Sequence, residues 1–145
     1  MIETDVAMKL KEIQQKIIQI MQLKIDEYGL TFGHLHLMRL VDKYPNASQK
    51  ELAEKMRFTQ GAMSIVVKKL LNLNMLEQLT SESDARYKRL VITDKGRAML
   101  NEYIDHINKK YKDMFLGFSE EELVEINDYL TRINENLNRI IANNN

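Results

Sequence analysis

Four polar side chains follow one another at short spacings in the middle of the chain: Gln60, Ser64, Lys68 and Lys69. A Gln amide and a Ser hydroxyl both donate and accept hydrogen bonds, whereas a Lys ammonium donates to anions. Spacings of four residues place such groups on one side of an α-helix. This is the chemistry of DNA contact, in which Gln pairs with adenine and Lys with phosphates. A solvated helix face is the alternative for this segment taken alone.

A helix from Thr59 to about Leu73 is predicted to carry these groups, with Thr59 as its N-cap. Its buried face is predicted by apolar residues at helical spacing: Met63, Val66, Val67, Leu70 and Leu73. The outward residues are Gln60, Gly61, Ser64, Ile65 and Lys68. Short side chains at the N-terminal end let a backbone approach base edges in the major groove. Ile65 has two interpretations, contact with a thymine methyl or partial burial beneath the helix, and the second is favoured.

A shorter helix is predicted just before it. Ser48, followed three residues later by Glu51, forms the pattern of a capping box, which marks a helix start. The buried stripe of this helix is Leu52, Ala53 and Met56. Arg57 and Phe58 then leave room only for a tight turn, so the two helices form a helix-turn-helix.

A polar, basic hairpin follows the helix pair. It is flanked by apolar residues that predict strands: Met75, Leu76 and Leu79 on one side, and Leu90, Val91 and Ile92 on the other. Between them lie Asp84, Arg86, Lys88 and Arg89, which predict a wing laid along DNA. Asp84 is placed to fix the Arg86 guanidinium for entry into a narrow minor groove. An ordinary surface salt bridge is the alternative.

Several motifs in this order resemble the MarR family of bacterial transcriptional regulators. They are Leu30-Thr31, Ser48-Gln49-Lys50-Glu51-Leu52-Ala53, Thr59-Gln60-Gly61 with Ser64, Asp84-Ala85-Arg86, and Ile92-Thr93-Asp94-Lys95-Gly96. The resemblance spans residues 30–96, and the length and flanking helices extend it over the chain. It implies a homodimer whose second helix of the pair reads the major groove and whose wing Arg86 probes the minor groove.

The predicted fold is mainly α with a small two- or three-stranded β wing, in one domain over residues 1–145. Residues 30–96 form its winged helix-turn-helix core, and residues 1–29 and 97–145 form a helical dimerisation region. The residues expected to contact DNA are Ser48, Gln49, Thr59, Gln60, Gly61, Ser64, Ile65, Lys68, Lys69, Asp84, Arg86, Lys88 and Arg89.

The chain departs from the family pattern at four positions. Ile65, Gln78 and Ala85 stand where the family often has Arg, so affinity or sequence preference is expected to differ from that of relatives. Asn74 stands where the family often has Gly. Because Asn tolerates the left-handed conformation, the turn into the wing is expected to survive.

Formal net charge is zero, yet charge is segregated along the chain. Residues 48–89 carry eight Lys and Arg against five Asp and Glu, a net +3, whereas residues 119–145 carry two against six, a net −4. The positive excess lies on the predicted DNA-contacting segment. The excess is small, so DNA binding is expected to weaken strongly with salt.

Two amphipathic helices bracket the predicted core. Their apolar stripes are Leu10, Ile13, Ile17 and Ile20 near the N-terminus, and Leu123, Ile126, Leu130, Ile133, Leu137 and Ile140 near the C-terminus. Ser119 and Glu122 predict the cap of the last helix. Packing against the 93–115 helix of the same chain covers part of this surface, and the rest predicts an isologous dimer. Such a dimer binds a pseudo-palindrome with half-sites about 10 bp apart.

The resemblance implies a small apolar or phenolic effector bound beside the 93–115 helix. Met99, Tyr103 and Ile107, with His36, suit such a pocket, although they also suit an ordinary core. His36, Glu102 and His106 form a second hypothesis, a zinc site. Two His and a carboxylate without Cys are more often satisfied polar groups, so no metal and no cofactor is predicted.

Other function classes find little support. The chain has no Cys, which excludes disulfides and cysteine redox sensing. It has no phosphate-binding Gly loop and no nucleophile motif, so it is not expected to be an enzyme. No apolar run suits a signal peptide or membrane span, which predicts a cytoplasmic protein. The expected function is a ligand-responsive repressor. The alternatives are a zinc-responsive regulator of the same fold and a helical dimeric adaptor that binds protein rather than DNA.

Overall fold

The computed structural model describes residues 1–80 and 87–144 of the chain. Within these ranges the elements are α1 (Ile2–Glu27), α2 (Phe32–Lys43), α3 (Gln49–Met56), α4 (Gln60–Asn72), β1 (Leu76–Thr80), β2 (Lys88–Ile92), α5 (Asp94–Met114) and α6 (Glu120–Asn143). The predicted class, mainly α with a small β wing, is confirmed. No described helix combines the length and the apolar character that crossing a membrane requires.

The two strands form an antiparallel hairpin ladder. Leu76 pairs with Ile92 at its base and Thr80 pairs with Lys88 at its far end. An isolated bridge joins Ser48, just before α3, to Arg89 of β2. The wing is thereby attached through β2 to the start of the helix-turn-helix.

Residues 1–107 form one compact unit, which contains the winged helix-turn-helix. Its core holds side chains from α2, the helix pair, the wing and α5, among them Leu37, Leu52, Met63, Leu70, Leu76, Leu90 and Tyr103. The predicted stripe of α3 is buried, as are Met63, Val67 and Leu70 of α4. Val66 and Leu73 are half-buried and pack against this core.

A cluster of hydrogen bonds fixes the base of the wing. The Thr93 hydroxyl donates to the Asn74 carbonyl (2.6 Å) and accepts from the Gly96 N–H (3.0 Å). The Thr93 N–H donates to the Met75 carbonyl (3.1 Å). Asn74 adopts a left-handed conformation with φ 56°, which confirms that Asn supports this turn. A Cβ at Gly96 would overlap the Met75 carbonyl oxygen, so this position requires Gly.

Residues 108–145 form a second unit, which holds the end of α5 and α6. Phe115 and Phe118 meet edge to face with ring centroids 6.0 Å apart, and Gly117 between them has φ 86°. The predicted cap of α6 is confirmed, because the Ser119 hydroxyl accepts from the Glu122 N–H (3.1 Å).

The predicted dimerisation stripes remain open to solvent to different degrees. None of the residues of α6, all of which the structure describes, is buried. Leu130, Leu137 and Ile140 are exposed, and Leu123, Ile126 and Ile133 are half-buried. In α1, Ile13 and Ile20 are exposed, and Leu10 and Ile17 are half-buried.

Candidate nucleic-acid interface

Local hydrogen bonds set the start of each helix in the pair. The Ser48 hydroxyl accepts from the Glu51 N–H (3.1 Å), and the Glu51 carboxylate accepts from the Ser48 N–H (3.5 Å), so the predicted capping box is confirmed. Arg57 ends α3 in a left-handed conformation with φ 57°. The Thr59 hydroxyl then accepts from the Ala62 N–H (3.1 Å) and caps α4, as predicted.

The outward face of α4 agrees with the predicted set. The exposed residues of α4 are Gln60, Gly61, Ser64, Ile65, Lys68, Lys69 and Asn72. Partial burial of Ile65, the interpretation that the sequence favoured, is wrong, because this side chain is 72% exposed. Ile65 follows the buried Met63 by two positions, which is about 200° around a helix, so it points away from the core.

A cavity of about 340 Å³ adjoins this face, between the starts of α3 and α4 and strand β2. It is lined by Ser48, Gln49, Lys50, Ala53, Gln60, Met63, Ser64, Tyr87 and Lys88. Ala53 and Met63 supply an apolar surface, whereas Lys50 and Lys88 bring positive charge from two different elements. The predicted Ser48, Gln49, Gln60, Ser64 and Lys88 thus meet around one concave surface. Lys50 and Tyr87 were not among the predicted contacts.

Two side-chain bonds hold the wing beside α3. The Gln78 amide donates to the Gln49 side-chain oxygen (2.7 Å), and the Tyr87 hydroxyl donates to the Asn46 carbonyl (3.3 Å). Gln78, which the sequence presented only as a missing cation, is therefore a neutral link between wing and helix. Its bond also engages the oxygen of Gln49, one of the predicted DNA contacts. Partners that are 29 and 41 residues apart leave no local signal in the sequence.

The predicted wing contacts are described only in part. Lys88 is exposed and Arg89 is half-buried on β2. Asp84 and Arg86 lie outside the described residues, and their pairing stays a prediction.

Burial and a charged side chain of α4 lower the pKa of a nearby His. His34 belongs to α2, where its Nδ1 accepts a hydrogen bond from the Thr31 N–H (3.0 Å) and so completes the helix cap. Burial, with a smaller contribution from the charge of Lys69, lowers the pKa of His34 below its usual value. A neutral imidazole is the form that can accept the capping bond.

The residues of the two ligand hypotheses occupy separate environments. Met99, Tyr103 and Ile107 are buried in the core of the first unit, whereas His36 is exposed. Among residues 1–80 and 87–144, no three His, Cys, Asp or Glu side chains gather as a metal site would require. The zinc hypothesis is thus not supported, because Glu102 instead accepts from Tyr28 (2.9 Å) and Lys24 (3.1 Å) at the end of α1.

This polar cluster shifts the pKa values of its members. Burial, and then the hydrogen bond to Glu102, raise the pKa of Tyr28 to about 12. The hydrogen bonds from Tyr28 and Lys24 lower the pKa of the Glu102 carboxyl. Hydrogen bonds to Glu27 and Glu102 raise the pKa of Lys24 above its usual value.

Known proteins with a similar sequence or fold agree with this description. The chain is 24% identical to the uncharacterized HTH-type transcriptional regulator YybA of Bacillus subtilis (strain 168), over 93% of this chain and 90% of that protein. Its fold is similar to that of Bacillus subtilis YusO, with a TM-score of 0.83 at 20% identity over 92% of this chain and 95% of that one. Its fold is also similar to that of S. aureus MepR in a complex with DNA, with a TM-score of 0.73 at 17% identity over 88% of this chain and 96% of that one.

The family match falls on α2, the helix pair and the first strand of the wing. Residues 28–86 match the model of the MarR family. This range includes α2, both helices of the helix-turn-helix and strand β1. Over these residues the chain is therefore similar to the MarR family, and over most of its length it shares the fold of the solved structures named above.

Proposed function

We propose that this protein is a sequence-specific DNA-binding regulator that acts as a homodimer. The observation that carries the proposal is the outward face of α4, where Gln60, Ser64 and Lys68 are exposed beside a cavity flanked by Lys50 and Lys88. Contact with base edges in the major groove requires hydrogen-bond donors and acceptors, and contact with the flanking phosphates requires cations; this helix carries both. The fold it shares with MepR, which has been solved with DNA, supports the same conclusion.

Each group on this face has a distinct task in the proposal. Gln60 and Ser64 contact base edges, whereas Lys68 and Lys69 contact phosphates and set the position of the helix. The cavity receives a segment of the sugar-phosphate backbone between Lys50 and Lys88. The free N–H groups at the starts of α3 and α4 add hydrogen-bond donors for phosphate oxygens. Arg86 is proposed to extend these contacts into the minor groove.

The dimer is proposed to form through the apolar stripes of α1 and α6. Both stripes carry exposed Ile or Leu residues at helical spacing. Stripes of this length are unfavourable in water and are buried when two copies associate. A two-fold dimer presents two α4 helices to half-sites about 10 bp apart.

Repression relieved by a small effector completes the proposed function. The effector class is apolar or phenolic, and its proposed site is the side of α5 that carries Met99, Tyr103 and Ile107. Because these residues belong to the core, an effector that enters among them would shift the packing of the winged unit. The test is a loss of DNA affinity when a simple phenol is added. An equal loss on addition of cyclohexanol of similar size identifies the effector class as apolar rather than phenolic, and no loss with either contradicts the proposal.

DNA binding itself is tested by fluorescence anisotropy on 30-bp duplexes selected from a random library, over a series of salt concentrations. Lys68→Ala is expected to weaken binding to all sequences and to reduce the slope of log affinity against log salt by about 1. Lys109→Ala is the matched control, because Lys109 is an exposed Lys of α5 far from α4 in sequence. If no duplex is enriched or shifted even at low salt, the protein-binding adaptor replaces this proposal.

A further inference from the structure

Ile65 is an apolar side chain on an otherwise polar or bare helix face. It is 72% exposed, and its neighbours on the outward side of α4 are Gly61, Ser64 and Lys68. Single exposed apolar residues are common on protein surfaces. This one, however, lies on the helix face that meets base edges if the proposed function is correct, so its chemistry bears on which sequence is bound.

We propose that Ile65 is a specificity-determining residue that reads the 5-methyl group of thymine in the major groove; the inference rests on the proposed DNA-binding function. An alkyl side chain neither donates nor accepts a hydrogen bond. Among the four bases only thymine presents an apolar group, its methyl, at the major-groove edge. Against guanine, adenine or cytosine, Ile65 would cover hydrogen-bonding groups and leave them without partners, which is unfavourable.

The surroundings of Ile65 make such a contact selective. A β-branched side chain in a helix has essentially one χ1 rotamer, so its methyl groups keep a fixed direction. Gly61, one turn earlier, has no side chain, and a Cβ there would meet only the Thr59 hydroxyl oxygen, at 4.0 Å. Lys68 lies three positions later and is exposed for phosphate contact. The helix is thus free to approach the base edges on the Gly61 side of Ile65, and the proposed phosphate contact of Lys68 anchors it on the other side.

The test replaces single thymines by deoxyuridine in a duplex selected by the wild-type protein. Deoxyuridine keeps every hydrogen-bonding group and removes only the methyl. Affinity is expected to fall about 4-fold, the equivalent of one buried methyl group, at one thymine in each half-site. At the same position, a pair containing 5-methylcytosine is expected to bind about 4-fold tighter than one containing cytosine, for the same reason.

Three variants assign the effect to this side chain. Ile65→Ala is expected to abolish the difference between thymine and deoxyuridine at that position, and Ile65→Val is expected to keep most of it. Ile65→Arg is expected to shift preference there toward guanine, whose O6 and N7 accept from a guanidinium. Because Ile65 is exposed, all three are expected to fold, which circular dichroism checks.

The outcomes separate this inference from the function on which it rests. Selective DNA binding in which the wild type tolerates deoxyuridine at every thymine overturns the role of Ile65 and leaves the regulator intact. A thymine effect that persists unchanged in Ile65→Ala also overturns it. Failure to select any duplex removes the DNA-binding function itself, and the inference with it.

Discussion

Individual residues of this chain are held in place by contacts that a conservative change would break. Gly96 shows this most directly. A Cβ at this position would overlap the Met75 carbonyl, which is backbone and cannot turn aside as a flexible side chain could. The family-like Thr93 to Gly96 segment therefore has a structural reason: Thr93 bonds on both sides of the turn, and Gly96 lets α5 pass the Met75 carbonyl. The sequence indicated that this motif matters, but not that it fastens the wing.

Gly96→Ala is expected to lower the free energy of unfolding by about 1–3 kcal/mol, because the new methyl group overlaps backbone. Gly61→Ala is the matched control. A Cβ there meets only the Thr59 hydroxyl oxygen at 4.0 Å, and Ala in place of Gly raises helix stability by about 0.5–1 kcal/mol. Urea unfolding measures both. Equal effects of the two substitutions would contradict the crowding at Gly96.

The Tyr28 cluster predicts a pH dependence with a defined sign. The folded-state pKa of Tyr28 is raised from 10.0 to about 12, so its stabilising contribution is full below pH 10 and is lost as pH rises toward 12. The folded-state pKa of Glu102 is lowered, so its contribution is present above its usual pKa of 4.5 and is lost in more acidic solution. Unfolding free energies of wild type and Tyr28→Phe are expected to converge between pH 10 and 12.

Glu102→Gln provides the control for this titration. The Gln amide oxygen can still accept from the Tyr28 phenol, but it carries no negative charge, so the charge-assisted hydrogen bond and the charge repulsion that raise the Tyr28 pKa are lost. The tyrosinate absorbance assigned to Tyr28, obtained by subtraction of Tyr28→Phe, is then expected to rise at lower pH than in the wild type. An unchanged titration would show that burial alone sets the Tyr28 pKa.

At the level of helices and strands, starts and buried faces could be predicted because their signals are local. The caps at Ser48, Thr59 and Ser119 each bond to a residue three positions later. The wing anchors could not be predicted in this way, since Gln78 and Tyr87 bond to residues far away in sequence. The predicted partial burial of Ile65 was wrong for a different reason. Hydrophobic character alone favoured burial, whereas the position of Ile65 on the helix directs it away from the core.

The bond between Gln49 and Gln78 is expected to couple α3 to the wing. In a double-mutant cycle with Gln49→Ala and Gln78→Ala, the coupling energy of unfolding is expected to be about 0.5–1.5 kcal/mol, the usual range for one hydrogen bond. DNA affinity is expected to fall in Gln78→Ala, because the wing is held less firmly. Strict additivity of the two substitutions would show that the bond contributes nothing in solution.

For the whole molecule, the sequence indicated two amphipathic helices but not how much of their stripes the chain itself buries. Leu137→Glu is expected to shift the protein from dimer to monomer in sedimentation velocity, because it places a charge in the proposed apolar interface. Asn138→Glu adds the same charge at the adjacent exposed position and is expected to leave the dimer intact. A wild-type protein that sediments as a monomer at micromolar concentration would contradict the proposed dimer.

No residue of α6, described in full, is buried, so the proposed dimer is expected to cover this stripe only when two copies meet, and protein concentration is then expected to set how steeply the proposed regulator responds. By mass action, the dimer concentration varies with the square of the monomer concentration when most chains are unpaired. Occupancy of a palindromic operator then responds to expression level more sharply than it would for a monomeric regulator. While most chains are unpaired, a two-fold drop in protein concentration would therefore remove about three quarters of the dimers.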